Sequence, residues 1–270
     1  MKKIFLPNFF EKINPRTIAI ITIIQAVIFL LLTQFNGNEL IPKPLGVIKN
    51  LVEMLSSSEF YNNLISTFFL IVKGMGLAII ISLTVSYLSL IPAFKGIPSF
   101  ISKLRFLTYT GLVFVFTILL HDGSQIKTAV LLLGIVPYFV TSLLSYFNDI
   151  PKKEYELCYT LKMNKWQTLY EVVIRGRLHV VLEVVKQNFA IAWMMITSVE
   201  GLCMSEGGIG TLMNKANRVV QIDKIFAILV AVFILGVLFD YLFDILKVLL
   251  FPYTDTKRYR NLLINKIFRK

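Results

Sequence analysis

Acidic residues are scarce in this chain: 16 Asp and Glu stand against 28 Lys and Arg, a formal net charge of +12 over 270 residues. Gathered on a soluble domain, that excess would suggest a nucleic-acid partner, but 56% of the residues are hydrophobic, only 16% are charged, and the mean hydropathy is +0.71. Histidine is scarcer still. His121 and His179 each stand alone near the end of an apolar run, without the convergent partners that a metal centre or a hydrolytic site needs. Cys158 and Cys203, the two cysteines, fall on opposite sides of a membrane in the topology derived below, which excludes a disulfide framework and a cysteine-based metal site. No G-x-x-x-x-G-K-[ST] occurs, and the nearest glycine cluster, Gly207-Gly208-Ile209-Gly210, lacks the lysine, so the chain has no P-loop with which to hydrolyse ATP. A small-residue cleavage site does not follow the first apolar run, which therefore reads as a retained helix. Internal repeats, low-complexity tracts and a soluble second domain are missing as well.

Long apolar runs are what the chain has in quantity. A spanning helix needs about 20 apolar residues, and such runs predict spans at 17–35, 64–91, 100–120, 128–147, 178–202 and 222–250, an all-α polytopic membrane protein with six transmembrane helices. The basic residues fall mostly in four blocks: Lys2, Lys3, Lys12 and Arg16; Lys95, Lys103 and Arg105; Lys152, Lys153, Lys162, Lys165, Arg175 and Arg177; and Lys257, Arg258, Arg260, Lys266, Arg269 and Lys270. With six spans all four lie on one side, which by the positive-inside bias is the cytoplasm. The expectation is a multi-pass protein of the cell (inner) membrane with both termini inside, its basic blocks meeting anionic lipid rather than nucleic acid.

Local patterns divide the chain further. Residues 1–16 predict an interfacial N-terminal helix, 17–250 the transmembrane domain with a cytoplasmic loop at 148–177, and 251–270 a basic cytoplasmic tail. Residues 41–55 put Leu45, Ile48, Leu51, Val52 and Leu55 on one helix face, as an interfacial helix on the outer side would. Gly74 and Gly76 permit a neighbouring helix to approach closely, and Pro137 is expected to kink the fourth span. Charges at bilayer depth cost about 3 kcal/mol or more and mark partners or water-filled paths. Lys73 lies mid-span and Glu200 near the outer end of the fifth span. Glu183 and Lys186, three apart, are placed to pair with each other, while Asp240 and Asp244 have only Lys247 as an obvious cation.

One stretch is polar and basic, residues 154–182, and it reads as two short amphipathic helices. Pro151 suits a first helical turn. Tyr155, Cys158, Tyr159, Leu161 and Lys162 recur at helical spacing, Asn164 is a residue that tolerates the left-handed end of a helix, and Trp166, Leu169, Tyr170 and Val173 form a second stripe.

The same stretch resembles the E-A-A loop of ABC-importer permeases, in particular the nitrate, sulfonate, taurine and bicarbonate branch. Glu156 stands for the motif Glu, Leu157 and Cys158 for the alanines, Leu161 for the Leu, and Val172 and Ile174 for the V-x-L ending; Lys162 replaces the motif Gly and Arg175 the Pro. Where Lys162 breaks the pattern, Asn164 is expected to supply the left-handed residue. The segment at 41–55 is similar to the L-P-x-P-x-x-V stretch of that branch, and residues 190–213 resemble its A-W…A-E…G-L-G pattern through Trp193, Glu200, Gly208 and Gly210. Together the matches cover about residues 40–250 in order.

The resemblance implies a permease subunit that imports a small, anionic, nitrate- or sulfonate-like solute by alternating access and is not itself an enzyme. It implies a cytoplasmic coupling helix pair that docks on an ABC ATPase dimer, with Glu156, Leu157, Cys158, Tyr159, Leu161, Lys162, Met163, Asn164 and Trp166 at the contact. It further implies a second permease copy, identical or paralogous, an extracytoplasmic solute-binding protein, and no cofactor on this chain, with ATP and Mg held by the ATPase. A path lined by the second, third and fifth spans would involve Lys73, Trp193, Thr197, Ser198 and Glu200. The alternative is a membrane scaffold or assembly subunit without a transport role.

Overall fold

The computed structural model describes residues 42–252, with residues 21, 24 and 25 besides. The expected interfacial helix at 1–16, nearly all of the span at 17–35 and nearly all of the tail at 251–270 lie outside the described residues. Among the described residues every regular element is helical: α1 (Pro44–Leu55), α2 (Ser58–Leu88), α3 (Gly96–Lys103), α4 (Tyr109–Leu119), α5 (Gly123–Asn148), α6 (Lys152–Thr160), α7 (Lys165–Thr168), a π-helical turn (Leu169–Arg175), α8 (Leu178–Leu202), α9 (Ile209–Arg218) and α10 (Ile222–Leu250). Helices α2, α5, α8 and α10 are each long and apolar enough to cross a membrane.

The expected third span takes a different form. Residues Pro92–Phe106 and Tyr109–Leu119 meet at a bend of 103°, because Leu107 and Thr108 are both extended and carry no helix through the joint. A straight helix would draw Lys103 and Arg105 toward the hydrocarbon; the bend leaves both outside the apolar run of α4, where cations are cheap to hydrate.

Helix α5 is the centre of the bundle, packed by α2 and α8 and also by α3 and α4. Its apolar side chains Val130, Leu131, Ile135, Phe139, Val140 and Leu143 are all buried. Gly74 of α2 lets Leu131 come so close that a methyl group there would overlap it, as expected, whereas Gly76 faces open space. Helix α5 stays continuous through Pro137, and the Pro137 carbonyl accepts the Thr141 hydroxyl at 2.7 Å. Helix α10 is different in kind: Ala227, Ile228 and Ala231 are buried, but Phe233, Val237, Tyr241 and Leu249 are exposed, the surface of a helix that meets lipid or another chain. Helix α1 packs along α10, with Met54 turned inward and Leu45, Ile48, Val52 and Leu55 exposed.

Two contacts tie α8 to α10. Phe189, Trp193, Phe239 and Phe243 interlock with ring centroids 5.0–6.3 Å apart, and Phe68 of α2 stacks on Phe239. Beyond them stands a ladder of charges. Lys186 reaches Asp244 at 2.5 Å and Asp240 at 3.1 Å, and Lys247 lies 3.4 Å from Glu183. The expected pairing of Glu183 with Lys186 along one helix is thus replaced by pairing across two. The physical reason is that Asp240 and Asp244, one turn apart on an apolar helix, need a cation more than Glu183 does, and Lys186 sits opposite both.

Candidate functional site

Chemistry-bearing residues gather at the two ends of α8. At the Leu178 end lies the polar turn, residues 149–177. Pro151 does not enter the first helical turn; it stands just before α6 with extended backbone, and the helix begins at Lys152. Lys162 itself takes the left-handed conformation, φ 53°, where glycine is the favoured residue. Asn164 does not supply it: its φ is −70°, and it caps α7, accepting from Lys165 N at 2.7 Å while Gln167 Oε1 accepts from Asn164 N at 2.8 Å. Lys162 thus occupies a backbone conformation that a glycine would adopt without strain.

The turn is anchored from below. Cys158, Val172 and Val173 are buried, and the π-helical turn brings the two adjacent valines inward together. Arg177 donates to Glu154 at 2.6 Å, joining the start of α6 to the start of α8. Burial pushes the neighbouring Tyr155 phenol above its usual pKa, and the Glu154 carboxylate adds to that.

The opposite face of the turn is apolar and open. Tyr159 is 81% exposed, Trp166 73% and Leu161 60%, with Leu157 and Tyr170 exposed beside them. Leu161, Met163, Trp166 and Tyr170 line an open groove of about 540 Å³ whose rim carries Lys162 and Glu171. Glu156 is exposed on α6.

At the Leu202 end the polar groups point inward. Glu200 is fully buried, and its carboxylate accepts the Thr67 hydroxyl at 2.8 and 3.0 Å and Gly210 N at 3.0 Å. Thr67 Oγ1 accepts from Ile209 N at 3.0 Å, and Asn63 Oδ1 from Gly208 N at 2.7 Å. Lys127, 2% exposed, donates to the carbonyls of Ser205 and of Gly207. Gly207 and Gly208 have φ of 74° and 116°, and a side chain on Gly208 would strike the Glu200 carboxylate. Gly210 meets the Thr197 carbonyl so closely that any side chain would collide.

Of the residues singled out from sequence, Glu156, Leu157, Tyr159, Leu161, Lys162, Asn164 and Trp166 share the exposed surface of the polar turn, while Met163 is half-buried and Cys158 buried. Lys73 is exposed at the middle of α2, and Thr197 and Ser198 are half-buried on α8. Trp193 is buried against α10, donating to the Val232 carbonyl at 3.1 Å. Sequence reasoning missed Asn63, Thr67 and Lys127. Thr67 is one hydroxyl in an apolar run, and Lys127, which falls between the expected spans at 100–120 and 128–147, belongs to α5 and is buried. The signal that was available is Asp122, an N-cap residue type that starts the helix at Gly123 and so places Lys127 inside it.

No curated protein matches the chain. A family model does: the one described as "Binding-protein-dependent transport system inner membrane component" matches residues 44–252, which take in α1 to α10 and both turns. By that match the chain belongs to the inner membrane components of binding-protein-dependent transport systems, the permease subunits, and is a multi-pass transport protein.

Proposed function

We propose that this permease subunit serves an ATP-driven importer of a small anionic solute, with the turn at 149–177 as its coupling surface on the cytoplasmic side. Family membership implies an ABC ATPase and an extracytoplasmic solute-binding protein as partners. The single observation that carries the coupling role is the unpartnered apolar face of Tyr159, Leu161 and Trp166, held on a base that is fixed by Cys158, Val173 and the Glu154–Arg177 pair. A rigid element with an open aromatic face suits a lever that transmits the closure of an ATPase dimer to α8, and rocking of the attached spans gives alternating access.

Lys73, Thr197 and Ser198 are the path-facing residues in this reading, with Trp193 and Glu200 packed behind them. A mid-span lysine offers an anion a positive charge in low dielectric and supports the assignment of solute charge. A second copy of the chain, or a paralogue, completes the path against the exposed faces of α2 and α8.

The experiment is purification from native membranes through a tag on this chain. The expected result is a co-purifying P-loop ATPase, retained by Lys73→Met, whose transport is lost. Recovery of the chain without any ATPase contradicts the reading.

A further inference from the structure

We infer that Asn63, Thr67, Lys127 and Glu200 are positioning residues that clamp α9 to α2, α5 and α8, so that the Leu202 end of the bundle moves as one body during transport. The functional part of this inference rests on the permease reading; its structural part does not.

The argument starts from the helix-end problem. A helix leaves its first backbone N–H groups without intrahelical acceptors, and in a buried site each needs a partner. Helix α9 begins in such a site, with Gly208, Ile209, Gly210 and Thr211 all buried. Its three successive N–H groups are each met by a different side chain: Gly208 N by Asn63, Ile209 N by Thr67 and Gly210 N by Glu200. Two of these side chains come from α2, and one comes from α8. A local cap would have served the helix as well; these caps are all borrowed from spanning helices, which fastens α9 to both.

The fourth side chain closes the loop from the other direction. Lys127 of α5 holds the Ser205 and Gly207 carbonyls, and Thr211 Oγ1 donates toward the Gly207 carbonyl at 3.0 Å and the Glu200 carbonyl at 3.1 Å. Asn214 donates to the Gly201 carbonyl, tying the next turn of α9 to the last turn of α8. Donors and acceptors of the turn are therefore bound to three spanning helices at once. The glycines follow from this: Gly208 makes room for the carboxylate and Gly210 for the Thr197 carbonyl. Pulling on any one of the three helices moves α9 with the others, because shifting it singly would orphan several buried polar groups together.

The test uses the chain in lipid nanodiscs with its co-purified ATPase. Spin labels go at Asn62→Cys on α2 and Asn217→Cys on α9, both exposed, in a chain whose half-buried Cys203 is changed to Ser and whose buried Cys158 is kept. The expected result is one narrow inter-label distance that stays the same with and without ATP plus vanadate. Thr67→Val, which removes the hydroxyl but keeps the shape, broadens that distance and raises amide exchange at residues 208–210 by about tenfold. Thr67→Ser restores both. A distance that shifts with ATP plus vanadate in the unaltered clamp overturns the inference, and so does a Thr67→Val variant that matches the parent in distance and exchange. If no ATPase co-purifies, the proposed ATP-driven importer fails, while the Thr67 variants still decide the clamp.

Discussion

The turns before and after α8 are built on opposite plans. The turn at 203–208 sends its polar groups inward, where Asn63, Thr67, Lys127 and Glu200 answer them, whereas the turn at 149–177 keeps a small anchored base and turns Tyr159, Leu161 and Trp166 outward. A turn saturated by its own chain gains nothing from a partner. In the proposed reading, the turn with an open aromatic face has its best-bound state in a complex. The difference teaches that damage to the two should be read by different measurements, stability for one and assembly for the other.

The largest loss of stability is expected for Glu200→Ala, which leaves the Thr67 hydroxyl and Gly210 N without an acceptor and opens a cavity beside buried Lys127. The cost is about 3–5 kcal/mol, from two buried groups left unsatisfied at about 1–3 kcal/mol each with the cavity added, and it is read as a fall in the thermal unfolding midpoint of the purified chain. Thr67→Val follows at about 1–3 kcal/mol, since one hydroxyl serves both a donor and an acceptor. Lys186→Met leaves Asp240 and Asp244 as like charges one turn apart, but Asp240 is 58% exposed, so water screens part of the effect and about 1–2 kcal/mol is expected. Lys162→Gly reverses the sign: at φ 53° a glycine relieves left-handed strain, raising stability by about 1 kcal/mol without altering the exposed face. The smallest effect belongs to Trp166→Ser, within about 0.5 kcal/mol in the isolated chain, because the indole is 73% exposed. A large stability loss there breaks the contrast between the turns.

The long spans were legible because hydrocarbon imposes its own pattern on composition, and α2, α5, α8 and α10 fall where apolar length places them. The bend between Phe106 and Tyr109 was not, since Leu107 and Thr108 are exposed residues inside an otherwise apolar run, and only the N-cap position of Thr108 marks the new helix start. Periodicity assigns faces within one helix and is silent on which face meets which, and this is why Glu183 and Lys186 were paired with each other rather than with α10. At the polar turn, side-chain preference suggested Asn164 for the left-handed position, but its capping of α7 competes and wins, and Lys162 takes the strain. Around Glu200 only the motif residues stood out. Asn63 and Thr67 lie well over a hundred positions away from their partners along the chain, beyond any local pattern.

The most direct measurement of the contrast is the affinity of the purified ATPase subunit for this permease in nanodiscs, compared across Trp166→Ser, Tyr159→Ser, Glu156→Lys and Thr67→Val. The account predicts that each of the first three weakens binding by about 30-fold or more, the scale of an aromatic or charged hot spot, while Thr67→Val binds as the parent does. Equal binding by all four variants, or a loss confined to Thr67→Val, contradicts the claim that the turn at 149–177 is the docking surface.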